Sequence, residues 1–340
     1  PSARALLSAR AELGWVVVLS AAAAGGWYVA AQELHGSFQL GFNDFGHFGQ
    51  RVANTAAGRG LLIETPVLPA FWDHFNPGLL LLVPLWCVWP EEQLFFAIQA
   101  MSLAGGAVGV WAIARQLGLV GITPLVLAVA WLAQPAVGQM NLAYTYGWHP
   151  ISMAIPLLLL SLWGVMAWRF YVALGCCFLA MVMEESAIFI VAMWSFTAAA
   201  RLALRQRLAD VSDQSVLGLG MRSWLVTGLL AGVGFVLVIR FSGLAEFQTG
   251  RFVALGDSPL AVAASPILRP AAFWGQLLRP TSVYFIASLL LPCSVLLLQR
   301  SWTILASAVM PLGVLLVWHH TPATCLAFQY PSVLLPVFWF

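Results

Sequence analysis

The chain has 340 residues, 61% of them hydrophobic and 8% charged, with a net charge of +2. Soluble domains carry roughly a quarter charged residues, so this composition excludes a water-soluble protein, and so small a positive charge does not suggest a nucleic-acid partner. An all-α, polytopic membrane protein remains; it has no lysine, so its 15 arginines set the topology.

A membrane span needs about 20 apolar residues. The first candidate, residues 14–31, follows Arg4 and Arg10 and exceeds the ~7–15-residue core of a signal peptide, so it reads as a retained span. Residues 32–76 form a long outer loop, where Phe45, Phe48 and Val52 recur at helical spacing. Asn43 or Asp44 can cap that segment and Gly58 and Gly60 can end it, which predicts a short amphipathic helix along the membrane. Residues 77–89, bounded by His74 and by Pro90-Glu91-Glu92, are too short to cross and read as an interfacial helix on the outer face.

Spans follow at residues 93–114, 117–137 and 150–168. Between Arg169 and Arg201 lie 31 residues, long for one span and short for two. The expectation is a hairpin of two short helices meeting near Glu184-Glu185-Ser186. Each arm covers only about 21 Å, so the apex is recessed below the outer surface. A single tilted helix would instead invert everything downstream. A cytoplasmic linker (201–222), a span (224–238), a second long outer loop (241–281) and spans at 282–298, 302–318 and 323–340 complete about ten spans in one domain, 1–340. The chain stops inside an apolar run, so its carboxyl end reads as truncated.

With a cytoplasmic amino terminus, Arg115, Arg169, Arg201, Arg205, Arg207, Arg222 and Arg300 fall inside, as the arginine bias requires. Asp44, Asp73, Glu184, Glu185 and all six histidines then fall on the outer side. Ionisable groups massed against one membrane face are costly and mark a functional region. The five cysteines show no CxxC or Cys/His spacing and are expected to pack as small hydrophobes.

The strings NDFGHFGQ, NTAAGRG, HFNPGLLLLVPLW, GWHPISMAIPLLLL, MEESAIF, RFVALG and QYPSVLLPVFWF, in that order, resemble a prokaryotic membrane family, domain-of-unknown-function family 2079. That family in turn resembles the GT-C glycosyltransferases, which take sugars from polyprenyl phosphates. The resemblance implies a bacterial inner-membrane protein that moves a sugar from such a donor on the outer face. It makes Asp44 the first-loop acid near the acceptor, and Glu184 and Glu185 an acidic pair that relatives write as Lys-Glu-Asp. It places His74 and Pro77 before the interfacial helix and His149-Pro150 at the start of a span. Three positions depart from the pattern: Gly49 replaces an expected acid, Met183 a lysine and Gln329 a histidine.

Such a transfer needs a base for the acceptor proton and cations for the leaving phosphate. Asp44 is the candidate base, with helix capping as its alternative role. Arg51 and Arg251 are the candidate phosphate clamps, since guanidinium grips phosphate in a fork; Arg59, Arg269 and Arg279 are expected to snorkel to headgroups. His47 lies three residues after Asp44, and with Glu184 or Glu185 it offers ligands for a divalent cation, although Asp-x-x-His is a weak signal and no metal ligand is assigned. His149, with Tyr144, Tyr146 and Trp148, suits a sugar platform, and an interfacial aromatic belt would have the same composition. His319-His320 reads as a solvated pair. Two other classes stay open. One is a noncatalytic subunit packed against other membrane proteins and lipids; the other is a secondary transporter, which the lack of an inverted repeat disfavours.

Overall fold

The structure is a computed structural model that describes residues 3–41, 43–64, 66–68, 70–142, 146–208, 214–244, 250–290 and 302–339. It is helical nearly throughout. The strands among these residues are one two-residue antiparallel pair, β1 (Ile63–Glu64) and β2 (Val67–Leu68). Among the described residues, five helical segments are long and apolar enough to cross a membrane: Ala9–Gly36, Gln93–Gln116, Thr123–Leu142, Glu185–Leu204 and Gly220–Phe241. Shorter apolar helices include Ile151–Met166, Phe170–Met183 and Pro280–Leu290.

The chain divides into two compact units. The first comprises Pro1–Ala70, Asn76–Met183 and Leu326–Ser332; the second comprises Phe71–Phe75, Glu184–Cys325 and Val333–Phe340.

The first unit is built around α4 (Gln93–Gln116), which receives α1 (Ala3–Gly36), α5 (Thr123–Leu132) and α7 (Ile151–Met166). Close approach rests on missing side chains. A Cβ at Gly106 would stand 2.6 Å from the Trp131 ring, whose Nε1 donates to the Leu103 carbonyl at 2.8 Å. Helices α1 and α4 run antiparallel, pinned by Glu12–Arg115 (3.7 Å) at one end and His35–Glu92 (2.7 Å) at the other. Arg115 and His35 therefore lie at opposite ends of this pair. Pro135 splits the third span into α5 and α6 (Pro135–Leu142), because the residue before a proline is pushed out of helical geometry.

The predicted amphipathic helix is α2 (Asn43–Ala56), with Phe45, Phe48 and Val52 all buried. It ends in two glycines at φ +77° and +76°, Gly58 and Gly60, values that only glycine adopts without cost. The predicted interfacial segment is a 3-10 turn, Pro77–Leu82, continued by α3 (Val83–Val88). Helix α7 turns sharply at Trp168 (φ 57°) into α8 (Phe170–Met183). Gly164 meets Ala173 and the Ser161 hydroxyl lies 3.0 Å from Cys177 Sγ, so the two helices are antiparallel. Helix α8 thus returns the chain to Gly78, where an added Cβ would stand 2.9 Å from the Met183 sulfur.

In the second unit, α9 (Glu185–Leu208) and α10 (Gln214–Phe241) pack antiparallel, with Gly228 beside Ser195 and Phe196, and Gly220 beside Leu202. Helices α11 (Pro259–Leu268), α12 (Pro270–Leu277) and α13 (Pro280–Leu290) each begin with proline, which suits a helix's first turn. Helix α14 (Trp302–Val317) packs on α9, and the short α15 (Leu335–Phe338) packs on α14.

Several expectations are corrected. The helix does break between Met183 and Glu185, but the arms are unequal. Helix α9 continues through Arg201 to Leu208 over 24 residues, since arginine is a good helix former, and its apolar part is long enough to cross. Residues 323–340 are not one span: the described part holds three short helical pieces, Thr321–Thr324, Tyr330–Leu334 and Leu335–Phe338, with residues 325–329 outside any helix. The described part of segment 241–281, expected as a loop, is largely helical. Of the described cysteines only Cys177 is buried; Cys87 is exposed and all four are free thiols. Residues 209–213 of the linker and 291–298 of the span predicted at 282–298 lie outside the described residues, as does Cys293.

Candidate functional site

Two clusters of titratable groups emerge, one in each unit. In the first, α2 carries Asp44 in its opening turn and is tied to the 146–150 segment by the Phe45 N–H, which donates to the Tyr146 carbonyl at 3.1 Å. Gly147 makes this junction possible: its φ is +74°, and a Cβ there would collide with the Gly41 carbonyl oxygen. His149 follows with a fully buried side chain. Its Nε2 lies 4.0 Å from Asp44 Oδ2, while the Asp44 side chain keeps 22% exposure.

The Ile151 N–H points at His149 Nδ1 from 3.4 Å. With Nδ1 accepting there, Nε2 is the nitrogen that faces Asp44. The Gln99 side-chain oxygen accepts from the His149 N–H at 3.2 Å, and the imidazole is walled edge-on by Phe48 (4.9 Å) and Tyr146 (5.9 Å). The ring has one orientation, set by core packing.

Arg51 lies two turns beyond Asp44 on α2 and is fully buried. Its Nη1 donates to Asn76 Oδ1 at 3.4 Å and its guanidinium sits 5.9 Å from the Phe48 ring centre. It anchors α2 to Asn76 rather than facing solvent. His47 is half-buried on the same helix. Trp148 is fully buried between Phe48 and Phe95, at 5.8 and 5.0 Å, so it belongs to the core and not to an aromatic belt. Tyr144 lies outside the described residues.

In the second unit, Glu185 opens α9 and holds the segment Phe71–Phe75. Its Oε1 meets His74 Nδ1 at 3.0 Å, and its Oε2 accepts from the Phe75 N–H at 2.9 Å. Asp73 Oδ1 accepts from the His74 N–H at 2.9 Å, and Ser186 Oγ donates to Glu184 Oε1 at 3.3 Å. Asp73, Glu184 and Glu185 are all buried. Burial opposes charge on the His74 ring, but the charge and hydrogen bond of Glu185, joined by Glu184 and Asp73, outweigh it and raise the ring to about 10. His74 is therefore an imidazolium at neutral pH. Trp72 packs over Gly243, where any Cβ would strike the indole.

Arg251 lies elsewhere in the second unit, its guanidinium 4.9 Å from the Trp318 ring centre, with Phe252 stacked on the same indole at 5.8 Å. His319 and His320 are not simply solvated. The His319 N–H donates to the Arg251 carbonyl, and the His320 ring packs 5.3 Å from Trp318, where burial and then the Arg251 charge lower its pKa. Arg279 does not snorkel: its Nη2 donates to the carbonyls of Leu316 (2.9 Å) and Trp318 (3.3 Å), closing the end of α14.

A family model described as "Predicted membrane protein (DUF2079)" matches residues 34–340. The chain belongs to this family. No curated protein and no solved structure is significantly similar to it. The DUF2079 match covers both clusters, from Asp44 to Arg251. Sequence reading singled out Asp44, His149, Glu184 and Glu185 but missed Asp73, Asn76 and Gln99 as their supports. The adjacent Asp73-His74 and the His-Phe-Asn string were the available signals; Gln99, inside an apolar helix, gave none.

Proposed function

We propose that this DUF2079 member is a multi-pass inner-membrane protein of the GT-C kind, with a cytoplasmic amino terminus, and that it transfers a sugar from a polyprenyl-phosphate donor to a hydroxyl on the outer face. The observation that carries this reading is the partly exposed Asp44 carboxylate facing the Nε2 of a fully buried His149. Asp44 takes the acceptor's proton, the acceptor oxygen bonds to the anomeric carbon, and the carbon–phosphate oxygen bond breaks with its electron pair leaving on the lipid phosphate. The buried His149 Nε2 faces that carboxylate from 4.0 Å and lines the wall beside it. Arg51, buried against Asn76, orders α2, the helix that carries Asp44.

Purified protein in nanodiscs, supplied with a labelled polyprenyl-phosphate sugar and membrane-extract acceptors, should transfer label. Asp44→Asn should abolish transfer while the protein stays monodisperse. Equal transfer by the variant removes Asp44 from the mechanism, and absence of both transfer and donor binding in the wild type removes the reading.

One observation favours a second reading, a noncatalytic subunit bound to other membrane proteins. Met183, standing where relatives are expected to carry lysine, is 4% exposed and packed against Gly78, so an apolar contact occupies that position. Native purification in mild detergent tests this: a stoichiometric membrane partner supports it and an isolated active chain refutes it.

A further inference from the structure

We propose that His74, Glu184 and Glu185 bind one divalent transition-metal cation in the second unit. His74 Nδ1 and one oxygen from each glutamate all lie within 4.8 Å of one another. Ligand atoms about 2.1 Å from a shared ion stand roughly 3.4 Å apart in a tetrahedral arrangement, so small side-chain shifts bring all three into range. Binding releases the proton from His74 Nδ1 to solvent, so the ion displaces the Glu185 hydrogen bond and is held more tightly as pH rises. The donor set, one imidazole nitrogen and two carboxylate oxygens, suits manganese or zinc better than calcium or magnesium, which prefer all-oxygen shells.

The surroundings supply what a metal site needs beyond its ligands. The Phe75 N–H holds Glu185 Oε2, which leaves Oε1 aimed at His74, and the Ser186 hydroxyl donates to Glu184. Asp73 Oδ1 accepts from the His74 N–H and fixes the backbone that carries the ring. Outer hydrogen bonds of this kind pre-orient ligands and raise affinity. Two of the three ligands are consecutive at the start of α9, so one helix positions both and only the Phe71–Phe75 segment must supply the third. The histidine is His74, not the His47 that the Asp-x-x-His spacing offered. This site goes beyond the transfer proposed above and is assayed without any donor lipid, so either reading can fail while the other stands.

The test uses the full chain in nanodiscs, stripped with chelator and dialysed against Mn2+ or Zn2+ alone. The wild type should retain about one equivalent after gel filtration, and Glu184→Gln and Glu185→Gln should bind at least ~10-fold more weakly. Pulsed electron paramagnetic resonance of the Mn2+ form should show a nitrogen coupling that disappears in His74→Gln and persists in His320→Gln. If Glu184→Gln and Glu185→Gln do not come through gel filtration monodisperse, the nitrogen coupling in wild type, His74→Gln and His320→Gln decides. Failure of the wild type to retain either ion, or a nitrogen coupling that survives His74→Gln, overturns the proposal.

Discussion

Exchanging Glu185 for glutamine isolates the charge that holds His74. The carboxylate meets the ring at 3.0 Å and accepts from the Phe75 N–H at 2.9 Å; the amide keeps a single acceptor and no charge. Losing a hydrogen bond to a charged group costs about 1.5–3 kcal/mol, and that is the destabilisation expected below pH 6.5, where His74 is protonated in folded and unfolded chains alike. Above 6.5 the unfolded ring releases its proton, while the folded ring, raised to about 10, keeps it. The wild type therefore has the full contribution below 6.5, loses it progressively as pH rises above that, and has none left once pH passes the folded value near 10. In Glu185→Gln two of the interactions that raise His74 are gone, so this decline should flatten. Thermal unfolding of chelator-treated protein in nanodiscs, followed by the fluorescence of its 16 tryptophans, gives both curves. Parallel pH dependences in the two proteins would refute the assignment of His74 as an imidazolium held by Glu185.

Gly106→Ala forces a methyl to within 2.6 Å of the buried Trp131 ring and should cost about 1–3 kcal/mol of stability, seen as a lower midpoint in the same unfolding assay. Arg279→Ala strips donors from the Leu316 and Trp318 carbonyls at the end of α14 and should cost about 1–3 kcal/mol; Arg279→Lys, lacking the planar fork, should recover only part of that. In a cysteine-free background, Ser37→Cys should react with an impermeant maleimide from outside intact cells, and Gln116→Cys only after permeabilisation. Both positions are exposed, at opposite ends of the α1–α4 pair, and the reverse labelling would invert the threading.

Sequence alone decided that this is a helical membrane protein, because hydropathy over about 20 residues is a local property and the backbone must satisfy itself in lipid. It also placed α2, whose buried face of Phe45, Phe48 and Val52 is written at a 3.6-residue period, and the break at Glu184, where a charged pair interrupts an apolar run. It misjudged the last segment, since average hydropathy counts apolar residues and is blind to whether the backbone stays helical, which it does not at residues 325–329. Tertiary structure alone decided which groups touch. His74 and Glu185 are 111 residues apart, and His149 and Gln99 are 50 apart. No spacing rule reaches across such distances, because the contact depends on how whole helices pack and not on the period within any one of them.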